Sequence, residues 1–180
     1  MLKLLYLHGL DGQLTPEKAA ILDAFGNVTA PQLDYRAAGF YRNQLEPCLD
    51  LPFDGVVGSS MGGFIGLRIA HRLNIPALIF NPALNNRTIT PDLEGEPSLQ
   101  NLDHQASIYA VFGEEDEIIP WARSHAELIK NCQNDQLHVR KIAGLGHRIP
   151  VPVFEEGLAW YVESAFGQRP TGAQLPTEGR

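Results

Sequence analysis

Apolar residues in this chain come either in short unbroken runs or at helical intervals, and the two patterns alternate. Leu4-Leu5-Tyr6-Leu7 and Ala77-Leu78-Ile79-Phe80 have no polar face. Such runs suit strands of a parallel sheet that is covered on both sides. The pattern predicts strands over Leu2–Leu7, Asn27–Ala30, Gly55–Val57, Ala77–Phe80, Ser107–Phe112 and Leu137–Ile142. It predicts helices over Pro16–Ala24, Arg36–Leu49, Met61–Leu73, Trp121–Lys130 and Pro152–Phe166. Thr15-Pro16 is a good helix start, because Thr caps the free N–H groups and Pro fits the first helical position. The expected fold class is α/β, a mostly parallel central sheet with helices on both faces. Ligands of such open sheets lie beyond the carboxyl ends of the strands. That rule points to the loops at His8, Ser60, Asn81, Gly113 and Gly144.

Length and composition narrow the picture. The chain has 180 residues, enough for a single domain and too few for a second catalytic unit. Residues 1–167 are expected to form the compact domain, and the Pro-, Gly- and Thr-containing segment 168–180 a mobile tail. Fourteen basic against twenty-one acidic side chains give a net charge of −7. This balance speaks against nucleic acid or an anionic membrane as partner, since phosphate contact needs clustered Lys and Arg. No run approaches the length of a membrane span. The run Leu2–Leu7 is too short for the core of a signal peptide. Cys48 and Cys132 lie far apart without a C-x-x-C spacing and read as reduced thiols, so a cytoplasmic location is expected.

Gly58-Ser59-Ser60-Met61-Gly62 fits G-x-S-x-G between an apolar strand and an apolar helix. A serine nucleophile on a sharp strand-to-helix turn needs this context, because the serine takes a positive φ and side chains two positions away would collide. The alternative is a plain turn rich in small residues. Gly113-Glu114-Glu115-Asp116-Glu117-Ile118-Ile119-Pro120 follows the fifth strand. A carboxylate at this strand end orients a histidine and stabilises its positive charge. Asp116 is favoured over a merely solvated acidic loop, because it lies three residues after Gly113 and Ile118-Ile119-Pro120 resembles the turn that follows the triad acid in many α/β-hydrolases. Gly144-Leu145-Gly146-His147 puts a histidine on a glycine loop after the last strand. The order Ser60, Asp116, His147 is that of α/β-hydrolases and differs from both common protease orders. His71, His125 and His138 fall inside predicted elements, and His104 lies in a polar loop without a motif. In hydrolases an H-G-x turn supplies one oxyanion donor, and in Tyr6-Leu7-His8-Gly9-Leu10 that donor would be the N–H of Leu10, partnered by the N–H of Met61. His8 itself reads more readily as a loop-shaping residue than as a base. No H-x-x-x-H or His/Asp cluster occurs at metal-ligand spacing, so neither metal nor other cofactor is expected.

With these motifs the chain resembles a compact α/β-hydrolase, and most closely the small bacterial esterases of the YqiA type. The matching segments are Leu5-Tyr6-Leu7-His8-Gly9, Gly58-Ser59-Ser60-Met61-Gly62-Gly63, Phe80-Asn81-Pro82-Ala83 and the loops holding Asp116 and His147. The similarity runs from residue 1 to about 166, with Asn81-Pro82-Ala83 as its most family-specific mark. The resemblance implies esterase activity on simple acyl esters without metal or organic cofactor. The chain departs from the family at Leu10, where an aromatic is common, at Arg148 after the histidine, and in its polar tail. The stretch Asn81–Ala106, with Pro82, Pro91 and Pro97, is too short and polar for a large cap domain. A shallow pocket walled by Leu10, Met61, Trp121 and Tyr41, with His8 and Arg148 as further substrate contacts, is expected to take small acyl esters. A thioesterase or acyltransferase using the same three residues is an open alternative, as is a non-catalytic hydrolase-like binding module. Oligomeric state is not legible.

Overall fold

The strands that lack a polar face are those that lie inside the sheet. In the computed structural model, which describes residues 1–94, 105–132 and 135–168, β1 (Leu2–Leu7), β3 (Gly55–Ser59), β4 (Ala77–Phe80) and β5 (Ile108–Gly113) run side by side, and every pairing is parallel. The strands β2 (Gly26–Thr29) and β6 (Leu137–Ile142) form the edges, giving the order β2-β1-β3-β4-β5-β6. Arg140 and Lys141 are exposed on β6, and charges of this kind keep an open edge from pairing with another chain.

Side chains alternate between the two faces, as the two-residue strand period demands. Leu5, Leu7, Val56, Ile79, Ala110 and Phe112 pack against the helices α2 (Met61–Leu73) and α3 (Trp121–Asn131). Leu4, Tyr6, Val57, Leu78, Phe80 and Val111 pack beneath α1 (Pro16–Asp23) and α4 (Val151–Phe166). The result is a three-layer α/β sandwich with one core on each face. At the start of α1, Thr15 Oγ1 accepts from the Lys18 N–H at 3.4 Å, as its sequence suggested.

The structure corrects one predicted element. The helix expected over Arg36–Leu49 is replaced by a turn, a single π turn over Tyr41–Leu45 and a 3-10 turn over Glu46–Cys48. Gly39 sits at φ +65°, which breaks right-handed helical geometry. Asp92 then takes up the freed donors: its carboxylate accepts from the Gly39 N–H at 2.7 Å and its carbonyl from the Tyr41 N–H at 3.0 Å. Pro47 adds a second break, since it has no N–H to continue an α-helix.

Register sets the level of the carboxyl ends. Ser59 pairs with Phe80 and Phe80 with Val111, so Ser60, Asn81 and Phe112 follow at one height. The Ser60 N–H donates to the Phe80 carbonyl at 2.9 Å, and the Asn81 N–H to the Val111 carbonyl at 2.9 Å. Among the described residues no helix is long and apolar enough to cross a membrane. His104, Pro97, residues 95–104 of the stretch 81–106 and all of the expected tail except Gln168 lie outside the described residues.

Candidate active site

Ser60 occupies the turn between β3 and α2 at φ 54°, ψ −116°. A non-glycine residue held there stores on the order of 1–3 kcal/mol of backbone strain. Two glycines make the turn possible by close approach. A Cβ on Gly58 would lie 2.3 Å from the Gly62 carbonyl oxygen, and one on Gly62 would lie 2.1 Å from that of Leu7. Gly63 faces Pro82, whose Cα would be 3.1 Å from an added Cβ. The Ser60 carbonyl accepts from the Phe64 and Ala83 N–H groups at 3.1 and 3.0 Å, so both flanks hold the serine in place. Behind it α2 points its positive dipole end at the turn.

The acidic loop and the histidine loop meet this serine. His147 Nε2 lies 3.1 Å from Ser60 Oγ, and His147 Nδ1 lies 2.8 Å from Asp116 Oδ2. A carboxylate only accepts, so Nδ1 carries the proton and Nε2 is left to accept from the serine hydroxyl. The other Asp116 oxygen accepts from the Ile118 and Ile119 N–H groups at 2.9 and 2.8 Å. This turn is what singles out Asp116: its side chain is fully buried, while Glu114, Glu115 and Glu117 are exposed. The imidazole of His147 is 16% exposed, so one edge meets the space above Ser60.

Asn81 is the polar residue whose role the sequence did not reveal. It is buried, at φ 41°, a conformation that Asn tolerates better than most residues. Its Nδ2 donates to the carbonyls of Gly146 and His147, both at 3.0 Å, and its Oδ1 accepts from the Gly113 N–H at 2.8 Å. One amide thus ties the end of β4 to the end of β5 and to the histidine loop. The sequence signals are a polar residue straight after an apolar strand and its place in the family mark Asn81-Pro82-Ala83. Asn81→Ala is expected to lower kcat on an acyl ester by roughly 10–100-fold with little change in KM, because small displacements of a catalytic group are costly. Steady-state kinetics well below the melting temperature of the variant check this; an unchanged kcat would remove Asn81 from the machinery.

Ser60 opens into a cavity of about 600 Å³ that Leu10, Met61 and Arg148 also line, along with Lys18 and Arg87, which sequence reading had not singled out. Gly9 keeps the near wall clear, since a Cβ there would stand 3.3 Å from Ser60 Cβ. Three expected substrate contacts lie elsewhere. His8 is 3% exposed; its Nδ1 donates to the Gly9 carbonyl at 2.7 Å and its Nε2 accepts from the Leu33 N–H at 2.9 Å. Tyr35 Oη donates to the His8 carbonyl at 2.6 Å, which completes the bracing of this loop. Tyr41 is buried in the core on the α2 side, with the Arg72 guanidinium over its ring. Trp121, at the start of α3, packs against His125 and under the Lys141 ammonium of β6, not on the cavity. Among the described residues no three His, Cys, Asp or Glu side chains gather where they could hold a metal ion.

Solved structures share this architecture. One from Xanthomonas campestris, described as belonging to the alpha/beta hydrolase superfamily, has a TM-score of 0.66 at 19% identity, over 91% of this chain and 99% of that one. A monoacylglycerol lipase from Paleococcus ferrophilus gives 0.63 at 15% identity, over 89% and 94% of the two chains. An alpha-beta serine hydrolase homologue from Coxiella burnetii gives 0.61 at 16% identity, over 91% and 84%. Identities this low speak for the fold alone. No curated protein matches the chain in sequence. Residues 3–109, more than half of the chain, match the family described as Uncharacterised protein family UPF0227. The chain therefore belongs to UPF0227, and its fold is that of the α/β-hydrolases.

Proposed function

We propose that the protein is a serine carboxylesterase that cleaves small acyl esters through Ser60, His147 and Asp116. The observation that carries this reading is the continuous hydrogen-bonded line from Asp116 through His147 to Ser60, at 2.8 and 3.1 Å, ending on a serine held at positive φ. Ser60 Oγ attacks the ester carbonyl carbon while His147 Nε2 takes the hydroxyl proton. Asp116 holds the imidazole in the required tautomer and balances its charge. The negative charge that develops on the carbonyl oxygen falls to the N–H groups of Leu10 and Met61. Collapse breaks the ester C–O bond, and His147 returns the proton to the departing alcohol. A water molecule then repeats the sequence on the acyl-enzyme and frees the acid and Ser60.

The open cavity favours short acyl groups over long chains, which need an enclosed apolar tunnel. A p-nitrophenyl ester series from acetate to palmitate tests this directly, with kcat/KM expected to be highest in the shorter half. A strong preference for palmitate would overturn the short-chain assignment. Acyl thioesters of matched chain length, run beside the oxyesters, report whether transfer from sulfur is faster; a large advantage for sulfur would replace esterase by thioesterase.

A further inference from the structure

The walls of the Ser60 cavity carry a charge opposite to that of the whole chain. Lys18, Arg87 and Arg148 line it, and among the described residues the sole carboxylate on its wall is that of Asp11. Asp11 is already spoken for: both of its oxygens are hydrogen-bonded to the Arg36 guanidinium. None of the three cavity cations makes an ion pair among the described residues. In a chain of net charge −7 a local excess of this kind runs against composition.

Two of the three are also partly withdrawn from water. Lys18 is half-buried with its Nζ 5.1 Å from the centre of the Phe154 ring, and burial holds its ammonium below the ordinary lysine range. The Arg87 guanidinium lies 4.0 Å from the Phe64 ring, and its Nη1 donates to the carbonyls of Ala83 and Leu84 at 3.0 and 2.6 Å. Its Nε is buried without a partner. Burial and the nearby Arg68 both push its pKa down. Desolvating a cation without a counter-charge is unfavourable, and an anion arriving with the ligand would offset that cost. Arg148 is exposed and follows His147 directly, so a bound anion there would lie close to the reacting ester.

We infer that the ester cleaved at Ser60 carries a second, anionic group, a carboxylate or a phosphate, that docks among Lys18, Arg87 and Arg148. The inference rests on the esterase reading above and narrows its substrate class. The anion takes no part in bond making: the same acyl transfer occurs, and the charged group leaves with the acid or with the alcohol.

Matched ester pairs distinguish the two positions. On the acyl side, mono-p-nitrophenyl glutarate is compared with p-nitrophenyl butyrate. On the alcohol side, the butyryl ester of 4-hydroxyphenyl phosphate is compared with phenyl butyrate. At least one anionic member is expected to exceed its neutral partner about tenfold in kcat/KM, equivalent to about 1.4 kcal/mol. That ratio should shrink as salt rises from 20 to 500 mM, because partly exposed charges are screened. It should also fall tenfold or more when Lys18→Glu and Arg148→Glu are combined. Neutral members that match or beat both anionic partners would overturn the inference while leaving the esterase reading intact. No cleavage of any of the four would overturn the esterase reading and this inference with it.

Discussion

Ser60→Ala is expected to cut ester turnover by about 10⁴–10⁶-fold, roughly 5–8 kcal/mol of transition-state stabilisation. The size of the loss follows from the roles of the groups. In the proposed mechanism every step of His147 and Asp116 depends on the acyl-enzyme that the serine forms, so removing that oxygen would make both idle at once. What remains is binding and whatever polarisation the Leu10 and Met61 N–H groups exert, which leaves a small residual rate. The fold should persist, since Ala fits where Ser does, at the same positive φ. Ser60→Gly should be equally inactive yet more stable than the Ala variant, because glycine carries no penalty at φ 54°. Turnover, thermal melting and covalent labelling by a fluorophosphonate check these points together. Labelling of the wild type that vanishes in Ser60→Ala is the expected pattern, and turnover at the wild-type rate in that variant would discard Ser60 as nucleophile.

The second large effect is expected for Asp116→Asn, about 10³–10⁴-fold in kcat. The substitution keeps the shape of the buried side chain and an oxygen for the Ile118 and Ile119 N–H groups, now 2.9 and 2.8 Å from Asp116 Oδ1. It then turns an NH₂ toward His147 Nδ1. A donor facing that nitrogen forces the proton onto Nε2, where it points at Ser60 and can no longer accept. The defect is therefore one of tautomer, with little change expected in melting temperature. Glu114→Gln and Glu115→Gln serve as comparisons, since both side chains are exposed, and each should stay within a few-fold of wild type. If Asp116→Asn kept more than a tenth of the activity, the carboxylate would have no role in orienting the base.

The features read correctly from sequence are those fixed by local patterns. Strands such as Ala77–Phe80 declare a two-sided burial, and the register then fixes where Ser60 emerges. The glycines around Ser60 announce a crowded turn because nothing larger fits there. Asp116 was separable from its acidic neighbours through the Ile118-Ile119 turn, whose N–H groups hold the carboxylate in place. The misreadings depend on contacts distant in sequence. Arg36–Leu49 has helical periodicity, but bonds to Asp92, some fifty residues away, stabilise a different path. Tyr41 and Trp121 are large aromatics in connecting segments or at a helix start, and which way such a ring turns is set by its neighbours in space. Asn81 was visible as a mark of the family, but its three partners lie 32 to 66 positions further along.

In the proposed mechanism the serine and its base are 87 residues apart, which has a consequence for biosynthesis. A ribosome delivers the nucleophile long before β5, β6 and the loop that ends at His147 have emerged. Until then the hydroxyl has no proton acceptor and is as unreactive as any free alcohol. Contacts across such long stretches are slow to form, so in the proposed mechanism reactivity waits until the histidine loop has docked. On that reading, a nascent chain would cleave no ester before the histidine loop has docked.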